Sequence, residues 1–318
     1  MTYFMNEIES ILKTKYPIIQ AGMVWCSGWK LARACSENGI LGVIGSGSMY
    51  PEVLDMHLSK YKAACDKPFA VNLPLLYPDI GAHLESILKH RVPIVITSAG
   101  SPAKYTEALK AEGTKVIHVV SSAKFAVKAE DAGVDAVICE GFEAGGHNGR
   151  EETTTFCLIP EVRRAVKIPI IAAGGIATGK AILAARVLGA DGVQIGTRFA
   201  AAKESSAHQI YKERVVAAKE GDTVLTLKEL APVRLIKNAF YEQVLEGYKK
   251  GYTPLELSGL LGKGRAKKGI FEGDMVEGEL EIGQVASMVD KIESCKDIIV
   301  DLVSEYQREI EKTKHLSF

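Results

Sequence analysis

The residues of this 318-residue chain whose types and spacing could do chemistry crowd into Ile138–Arg150, ICEGFEAGGHNGR. An apolar run, Ala136-Val137-Ile138-Cys139, stops at Glu140, gives way to small residues and reaches His147 behind Gly145 and Gly146. An apolar strand that ends in glycines and one imidazole has the form of a site at a strand tip. A neutral imidazole donates or accepts a proton near pH 7, which suits a general acid or base. The competing reading is a loop histidine that only bonds backbone.

Two later stretches have the same form, Ile170–Ile176 (IIAAGGI) and Val193–Phe199 (VQIGTRF). In Ala173-Gly174-Gly175-Ile176 and in Gly196-Thr197, glycine lets backbone amides approach an anion. A following helix N-terminus adds a favourable dipole, and the Thr197 hydroxyl can donate. Together they point to a phosphate site, against the plainer alternative of two tight strand–helix turns. Gly174, Gly179 and Lys180 also satisfy the GxxxxGK of a P-loop, but Ala181 stands where that motif needs Ser or Thr. Gln20, Asn72 and Gln194 carry side-chain amides at strand ends. These either recognise a heteroaromatic edge or bond neighbouring backbone.

The other histidines, His57, His83, His90, His118, His208 and His315, read as surface or structural, with His118 a candidate for the barrel interior. No HExxH or carboxylate cluster points to a metal, so none is expected. The six cysteines, Cys26, Cys35, Cys65, Cys139, Cys157 and Cys295, are scattered and form no CxxC pair. They read as reduced core thiols.

The elements that position these groups follow from a recurring pattern between residue 17 and about 200. Apolar runs at Pro17–Met23, Gly39–Gly47, Phe69–Leu76, Ile94–Gly100, Lys115–Ser122, Ala136–Gly146, Pro169–Ile176 and Gly192–Phe199 alternate with amphipathic stretches. The latter are Ser27–Asn38, Pro51–Cys65, Asp79–His90, Pro102–Glu112, Ser122–Ala132, Thr155–Val166 and Gly179–Leu188. Several begin at Pro or after Ser/Thr, and Gly39, Gly113, Gly133 and Gly189 follow their ends, which are helix start and stop signals. Such alternation with continuous apolar strands predicts an α/β parallel sheet covered by helices. Eight strands predict a closed TIM (β/α)8 barrel, whose active site lies at the carboxyl ends of the strands. An open doubly wound sheet is the alternative, but no GxGxxG follows the first strand.

Residues 1–202 therefore read as the barrel. Residues 203–290 read as a small C-terminal helical subdomain over its mouth, and 291–318 as a helix packing back on it. Within that part, Lys203–Glu220, Phe240–Lys250, Thr253–Leu261, Ile282–Val289 and Ser294–Lys312 read as helical, and Asp222–Asn238 as extended or irregular. Lys+Arg and Asp+Glu are both 39, which gives no bulk attraction to nucleic acid or membrane. With no secretion signal and no long apolar span, a soluble cytoplasmic protein is expected.

With these residues in hand, the chain resembles the FMN-dependent family that contains enoyl-[acyl-carrier-protein] reductase II and the nitronate monooxygenases. The resemblance is carried by YPIIQAGM at 16–23, GILGVIGSG at 39–47, KPFAVNL at 67–73, EGFEAGGHNG at 140–149, IPIIAAGGIATG at 168–179, ADGVQIGTRF at 190–199 and EGD…GQVA at 272–286. It implies FMN at the barrel mouth, its phosphate on Gly174, Gly175, Gly196 and Thr197 beside Ala173. It places the isoalloxazine near Gly22, Met23 and Asn72 with Gln194 close by, and Glu140, Gly145, Gly146 and Gln284 around the same mouth. His147 matches the family's catalytic histidine.

Of the two activities, the resemblance favours the reductase, with NADH or NADPH as hydride donor, an enoyl thioester on acyl carrier protein as partner, and a homodimer. The stretch AKKGIFEGDMVEGELEIGQVA matches the reductase pattern, and the chain is short, like the reductases. Lys263, Arg265, Lys267 and Lys268 form a basic run that could receive an acidic carrier or merely be solvated. The nitronate monooxygenase, which oxidises alkyl nitronates with O2, is the alternative. The chain departs from the reductase pattern at Arg150, Glu151 and Glu152, which charge the loop after His147, and at Glu281, where an apolar residue is usual.

Overall fold

The computed structural model describes residues 7–77 and 80–314. Asp79, the expected start of one helix, and His315 lie outside them. Eight parallel strands form one sheet: β1 (Ile18–Gln20), β2 (Gly42–Gly45), β3 (Phe69–Pro74), β4 (Ile94–Ser98), β5 (Lys115–Val120), β6 (Ala136–Glu140), then, past a two-residue strand β7 (Gly146–His147), β8 (Ile170–Ala173) and β9 (Gly192–Ile195). The order is β1-β9-β8-β6-β5-β4-β3-β2. A parallel bridge between Ile19 and Leu41 joins the two edges, with Gln20 N donating to the Leu41 carbonyl at 2.9 Å, so the sheet closes into a (β/α)8 barrel.

Side-chain alternation builds two shells. Ile94 and Ile96 of β4, and Ala136 and Ile138 of β6, fill the barrel with Ile19, Val43, Ala70 and Ile171. Val95, Val137, Cys139 and Val193 face outward to the helices. Those helices are α1 (Glu7–Leu12), α2 (Trp29–Glu37), α3 (Pro51–Ala64), α4 (Ile80–Lys89), α5 (Thr106–Ala111), α6 (Ala123–Asp131), α7 (Thr155–Ala165) and α8 (Gly179–Val187). α1 plugs the barrel floor with Ile8, Ile11 and Leu12. Sequence start signals hold: Ser122 and Thr178 cap α6 and α8 by accepting from Phe125 N and Ala181 N, and Pro51 opens α3.

After β9 comes a single turn, α9 (Thr197–Ala200). The expected helix 203–220 shrinks to α10 (Gln209–Val216), because the serines before it bond locally: Ser205 Oγ accepts from Ala207 N at 3.2 Å, and His208 caps the helix. The expected extended passage is an antiparallel hairpin, β10 (Thr223–Thr226) and β11 (Val233–Ile236), followed by α11 (Ala239–Lys249) and α12 (Pro254–Leu261). The region above the mouth thus adds a β-ribbon to its helices. Residues 284–288 form a short 3-10 turn in place of a longer helix.

The last helix, α13 (Cys295–Thr313), buries Cys295, Ile298, Ile299 and Leu302 against the barrel, next to α8 and α2. It therefore stands where the eighth barrel helix belongs, and α10–α12 with the ribbon are an insertion before it. Gly179 N donates to Glu305 Oε2 at 2.6 Å. The N-terminus of α8 is thus spent on a carboxylate of α13, which removes the P-loop reading.

Candidate active site

The inward-facing register of four strands ends in polar or small residues at one level. Asn72 follows Ala70 on β3, Glu140 follows Ile138 on β6, Ala173 follows Ile171 on β8, and Gln194 lies between the outward Val193 and Ile195 on β9. Period-two alternation thus carries these side chains to the barrel mouth. They line a cavity of about 1530 Å³ with Gly22, Met23, Gly145, Gly146, His147, Gly174, Gly175, Gly196 and Thr197. That is more room than one ordinary small-molecule ligand needs. Gln284 does not line it: the 3-10 turn carries its side chain outward into solvent, while its backbone N donates to the Glu143 carbonyl at 2.9 Å.

One corner is built from backbone. Gly174 and Gly175 have φ of +88° and +70°, a region that side chains avoid. A Cβ on Gly174 would sit 2.6 Å from the Gly141 carbonyl oxygen. Across from them Gly196 caps α9, and Thr197 Oγ1, buried, accepts from Gly283 N at 3.3 Å. A Cβ on Gly145 would lie 2.3 Å from the Ile282 carbonyl carbon, so the loop after β6 runs flush against residues 282–283. Two left-handed glycines facing a helical turn suit a phosphate. The wide mouth beside them, bordered by Gly22 and Asn72, suits a flat ring system.

Asn72 Nδ2 donates to the Ile96 carbonyl at 3.2 Å, while its side chain remains on the cavity wall. Gln20 is different. Its amide bonds Ser27 Oγ at 2.9 Å, Val43 N at 2.9 Å and the Ala21 carbonyl, and it is fully buried. It braces the first turn and does not reach the cavity.

His147 belongs to β7, which pairs antiparallel with β11, Val233 opposite His147. Its side chain is 69% exposed into the mouth, and Nδ1 stands 4.0 Å from Glu281 Oε1. Burial pushes the Glu281 carboxyl up to about 7. Glu279 is pushed up to about 7 by burial and by Glu281, against opposing pulls from His147 and Arg265. Burial alone raises Glu140 to about 7.

The remaining histidines have other roles. His57 Nδ1 accepts from Trp29 N at 3.0 Å, His83 lies 2.9 Å from the Met49 carbonyl, and His90 pairs with Asp55 at 2.8 Å. His118 is buried on β5 between the inward Ile117 and Val119, so it takes the outward register, 2.7 Å from Thr97 Oγ1. Burial pulls its pKa down to about 4, and one edge of it reaches the cavity wall.

Four residues of the site were not singled out in the sequence. Glu143 accepts from Thr155 N at 3.0 Å behind the glycine corner, and Glu279 faces the cavity beside Glu281. Tyr211 donates to the Glu281 carbonyl at 2.6 Å. Trp25, at φ +59°, lines the mouth with its ring 5.6 Å from Phe271 and under Lys267 Nζ. A bulky aromatic two residues after the apolar run Pro17–Met23 was the only hint for Trp25.

The basic run is partly withdrawn from solvent. Arg265 donates to the Leu260, Leu261 and Glu277 carbonyls and lies over the Phe240 ring at 4.4 Å. Lys267 pairs with Glu272 at 3.0 Å, which leaves Lys263 on the cavity rim and Lys268 exposed. The charged loop after His147 is structural: Glu151 accepts from Ser121 Oγ at 2.9 Å, and Lys228 pairs with Glu152.

A closed parallel barrel whose strand tips surround a glycine-built anion corner and a wide, flat-sided cavity defines a (β/α)8 enzyme of the cofactor-binding kind. The sequence model of the nitronate monooxygenase family matches residues 6–83 and 78–305, and the chain belongs to that family. It is a flavin oxidoreductase. Among solved structures it is similar to FabK from Thermotoga maritima, 42% identical with a TM-score of 0.93 over 97% of this chain and 98% of that one. It is also similar to a nitroalkane oxidase from Streptomyces ansochromogenes, 27% identical with a TM-score of 0.83 over 96% and 99%. A probable nitronate monooxygenase from Staphylococcus haemolyticus is 32% identical over 79% of this chain and 83% of its own. Among the described residues no helix is long and apolar enough to cross a membrane, and no cluster of three or more His, Cys, Asp or Glu could hold a metal ion.

Proposed function

We propose that the chain is an FMN-dependent enoyl-[acyl-carrier-protein] reductase, with NADH or NADPH as donor and a trans-2-enoyl thioester as acceptor. The observation that carries this reading is the acidic wall beside His147. Glu279 and Glu281 are buried there and face the cavity. Two acids beside a proton-transferring imidazole suit an acceptor whose reduction takes up a proton and develops charge on a carbonyl oxygen, as that of an enoyl thioester does, whereas a nitronate arrives already as an anion and takes up no proton at carbon. The likeness to FabK, at 42% identity over 97% of the chain, supports the same choice.

FMN, when bound, supplies hydride carriage between a reduced nicotinamide and the β-carbon of the enoyl group. The backbone of Gly174, Gly175, Gly196 and Thr197 would hold its phosphate, and Gly22, Met23, Asn72 and Gln194 would border its ring. Gly145 and Gly146 let the His147 strand run close to that ring. His147, exposed into the mouth, gives a proton to the α-carbon as the double bond is saturated. Lys263 and Lys268, on and near the rim, would attract an acidic carrier protein.

The test is product identity under steady turnover. The reading predicts saturated thioester formed mole for mole with NADH or NADPH consumed, and little oxygen uptake with a nitronate. Nitronate-dependent oxygen uptake without any thioester reduction would replace it with the monooxygenase activity of the family's curated relatives.

A further inference from the structure

We propose that Glu281, seconded by Glu279, is a second acid of this site: a protonated carboxyl that donates a hydrogen bond to the carbonyl oxygen of the thioester bound beside His147. The inference rests on the enoyl thioester reading above.

Its basis is placement. Glu281 Oε1 stands 4.0 Å from His147 Nδ1, and Oε2 would lie 2.9 Å from a Cβ on Gly146. The carboxyl is therefore held flush against the strand that presents the histidine. Its backbone is fixed by the bridge to Leu235 on β11 and by the Tyr211 hydroxyl. The Glu281 side chain is only 10% exposed and Glu279 only 6%, and both line the cavity. Among the described residues Glu279 makes no side-chain hydrogen bond or ion pair, and Glu281 has no ion pair other than that with His147.

The surroundings explain why such a carboxyl keeps its proton. From the same segment Glu281 meets Glu279; from β7 it meets His147. Cys26 and the Tyr211 phenol also sense its charge, and Lys212 lies beyond Cys26. Arg265 acts on Glu279 but is occupied by carbonyls, and Arg234 of β11 is turned away onto the Phe142 carbonyl at 2.9 Å. Two carboxylates in one buried place do not both ionise readily, and burial pushes both up to about 7. A carboxylic acid kept neutral by its surroundings is a strong hydrogen-bond donor to an oxygen on which charge develops.

The chemistry balances without further reagents. With FMN bound, NADH or NADPH would supply the hydride that reaches the β-carbon, and the carbon–carbon π pair would move toward the α-carbon and the carbonyl oxygen. Glu281 stabilises that oxygen without giving up its proton, and His147 delivers a proton to the α-carbon.

The test uses the flavin-loaded full chain and the variants Glu281→Gln, Glu281→Ile and Glu279→Gln. Glutamine still donates but does not titrate. Glu281→Gln should keep kcat within about threefold below neutrality and lose the fall in rate as pH rises through about 7. Glu281→Ile should lower kcat about 100-fold with KM for the thioester little changed. Glu279→Gln should move the alkaline fall without abolishing it. Independently of turnover, infrared spectra of the wild type at about pH 6 should show protonated-carboxyl C=O absorption that fades above about pH 8, and the difference spectrum against Glu281→Ile should isolate a Glu281 band over the shares of Glu140 and Glu279, which the variant keeps. Unchanged kcat and pH profile in Glu281→Ile, or no difference band between wild type and Glu281→Ile, overturns the proposal. If Glu281→Ile does not fold, the difference band between wild type and Glu281→Gln and the Glu281→Gln pH profile decide. A band that behaves as described in a protein that reduces no enoyl thioester contradicts the substrate reading alone.

Discussion

Arg150 and Leu230 are joined across the mouth of the barrel: Arg150 Nη2 donates to the Leu230 carbonyl at 2.7 Å while Nη1 donates to the Lys228 carbonyl at 2.9 Å. Both carbonyls lie in the turn between β10 and β11, and β11 is the strand that pairs with His147. The fork thus latches the end of the His147 loop to the inserted ribbon. Arg150→Ala should lower kcat about tenfold by loosening the histidine, with bound flavin unchanged. Flavin content and steady-state kinetics measured together check this. A variant with wild-type kcat would show that the β7–β11 pairing alone holds the ring.

Gly174→Ala should strip the cofactor. The φ of +88° strains any side chain, and a Cβ would press on the Gly141 carbonyl at 2.6 Å. The corner must shift, and the amides that would face phosphate shift with it. We expect a protein isolated with little flavin and a dissociation constant raised at least about tenfold, read by flavin fluorescence. Wild-type affinity would move the phosphate elsewhere in the mouth.

His147→Ala should retain flavin and lose on the order of 100-fold or more in turnover, because the ring is exposed and supports no packing. Absorbance of the bound flavin and kcat separate binding from chemistry. Unaltered turnover would reduce His147 to a loop residue.

Glu140 makes the stability of the protein depend on pH. Burial raises its carboxyl from 4.5 to about 7. Its contribution is therefore fully present below about 4.5, declines as pH rises through 7, and is constant above. The amide in Glu140→Gln cannot ionise. The variant should match the wild type near pH 4.5 and exceed it by on the order of 3 kcal/mol at pH 8, measured by denaturant unfolding at both pH values. A difference of the same size at both would mean that packing, and not ionisation, governs the position.

Much of this site was legible because the barrel repeats one simple rule. Alternation along β3, β6 and β9 carries Asn72, Glu140 and Gln194 inward, and a residue at a strand tip needs no knowledge of its neighbours to be placed there. The glycine pair 174–175 was legible for the same local reason. Glu279 and Glu281 were not legible as partners of His147, since only the inserted ribbon brings the segment around 281 beside β7. Sequence position marked Glu281 as unusual but could not say what it faces. Arg265 looked like a surface charge because nothing local shows that Phe240 and three carbonyls await it. Gln284 looked like a site residue because a motif fixes its backbone, while a single 3-10 turn decides where its side chain goes. The hairpin β10–β11 was only an extended passage, because strand pairing is a long-range choice that its own residues do not announce.

The central claim is that this flavin is reduced by a nicotinamide and reoxidised by an enoyl thioester. Its most direct test is anaerobic absorbance of the flavin in the purified protein. The account predicts that NADH or NADPH bleaches the flavin without oxygen, and that crotonyl thioester added afterwards restores the colour. A flavin that neither nicotinamide bleaches, but that turns over a nitronate when oxygen is admitted, would contradict it.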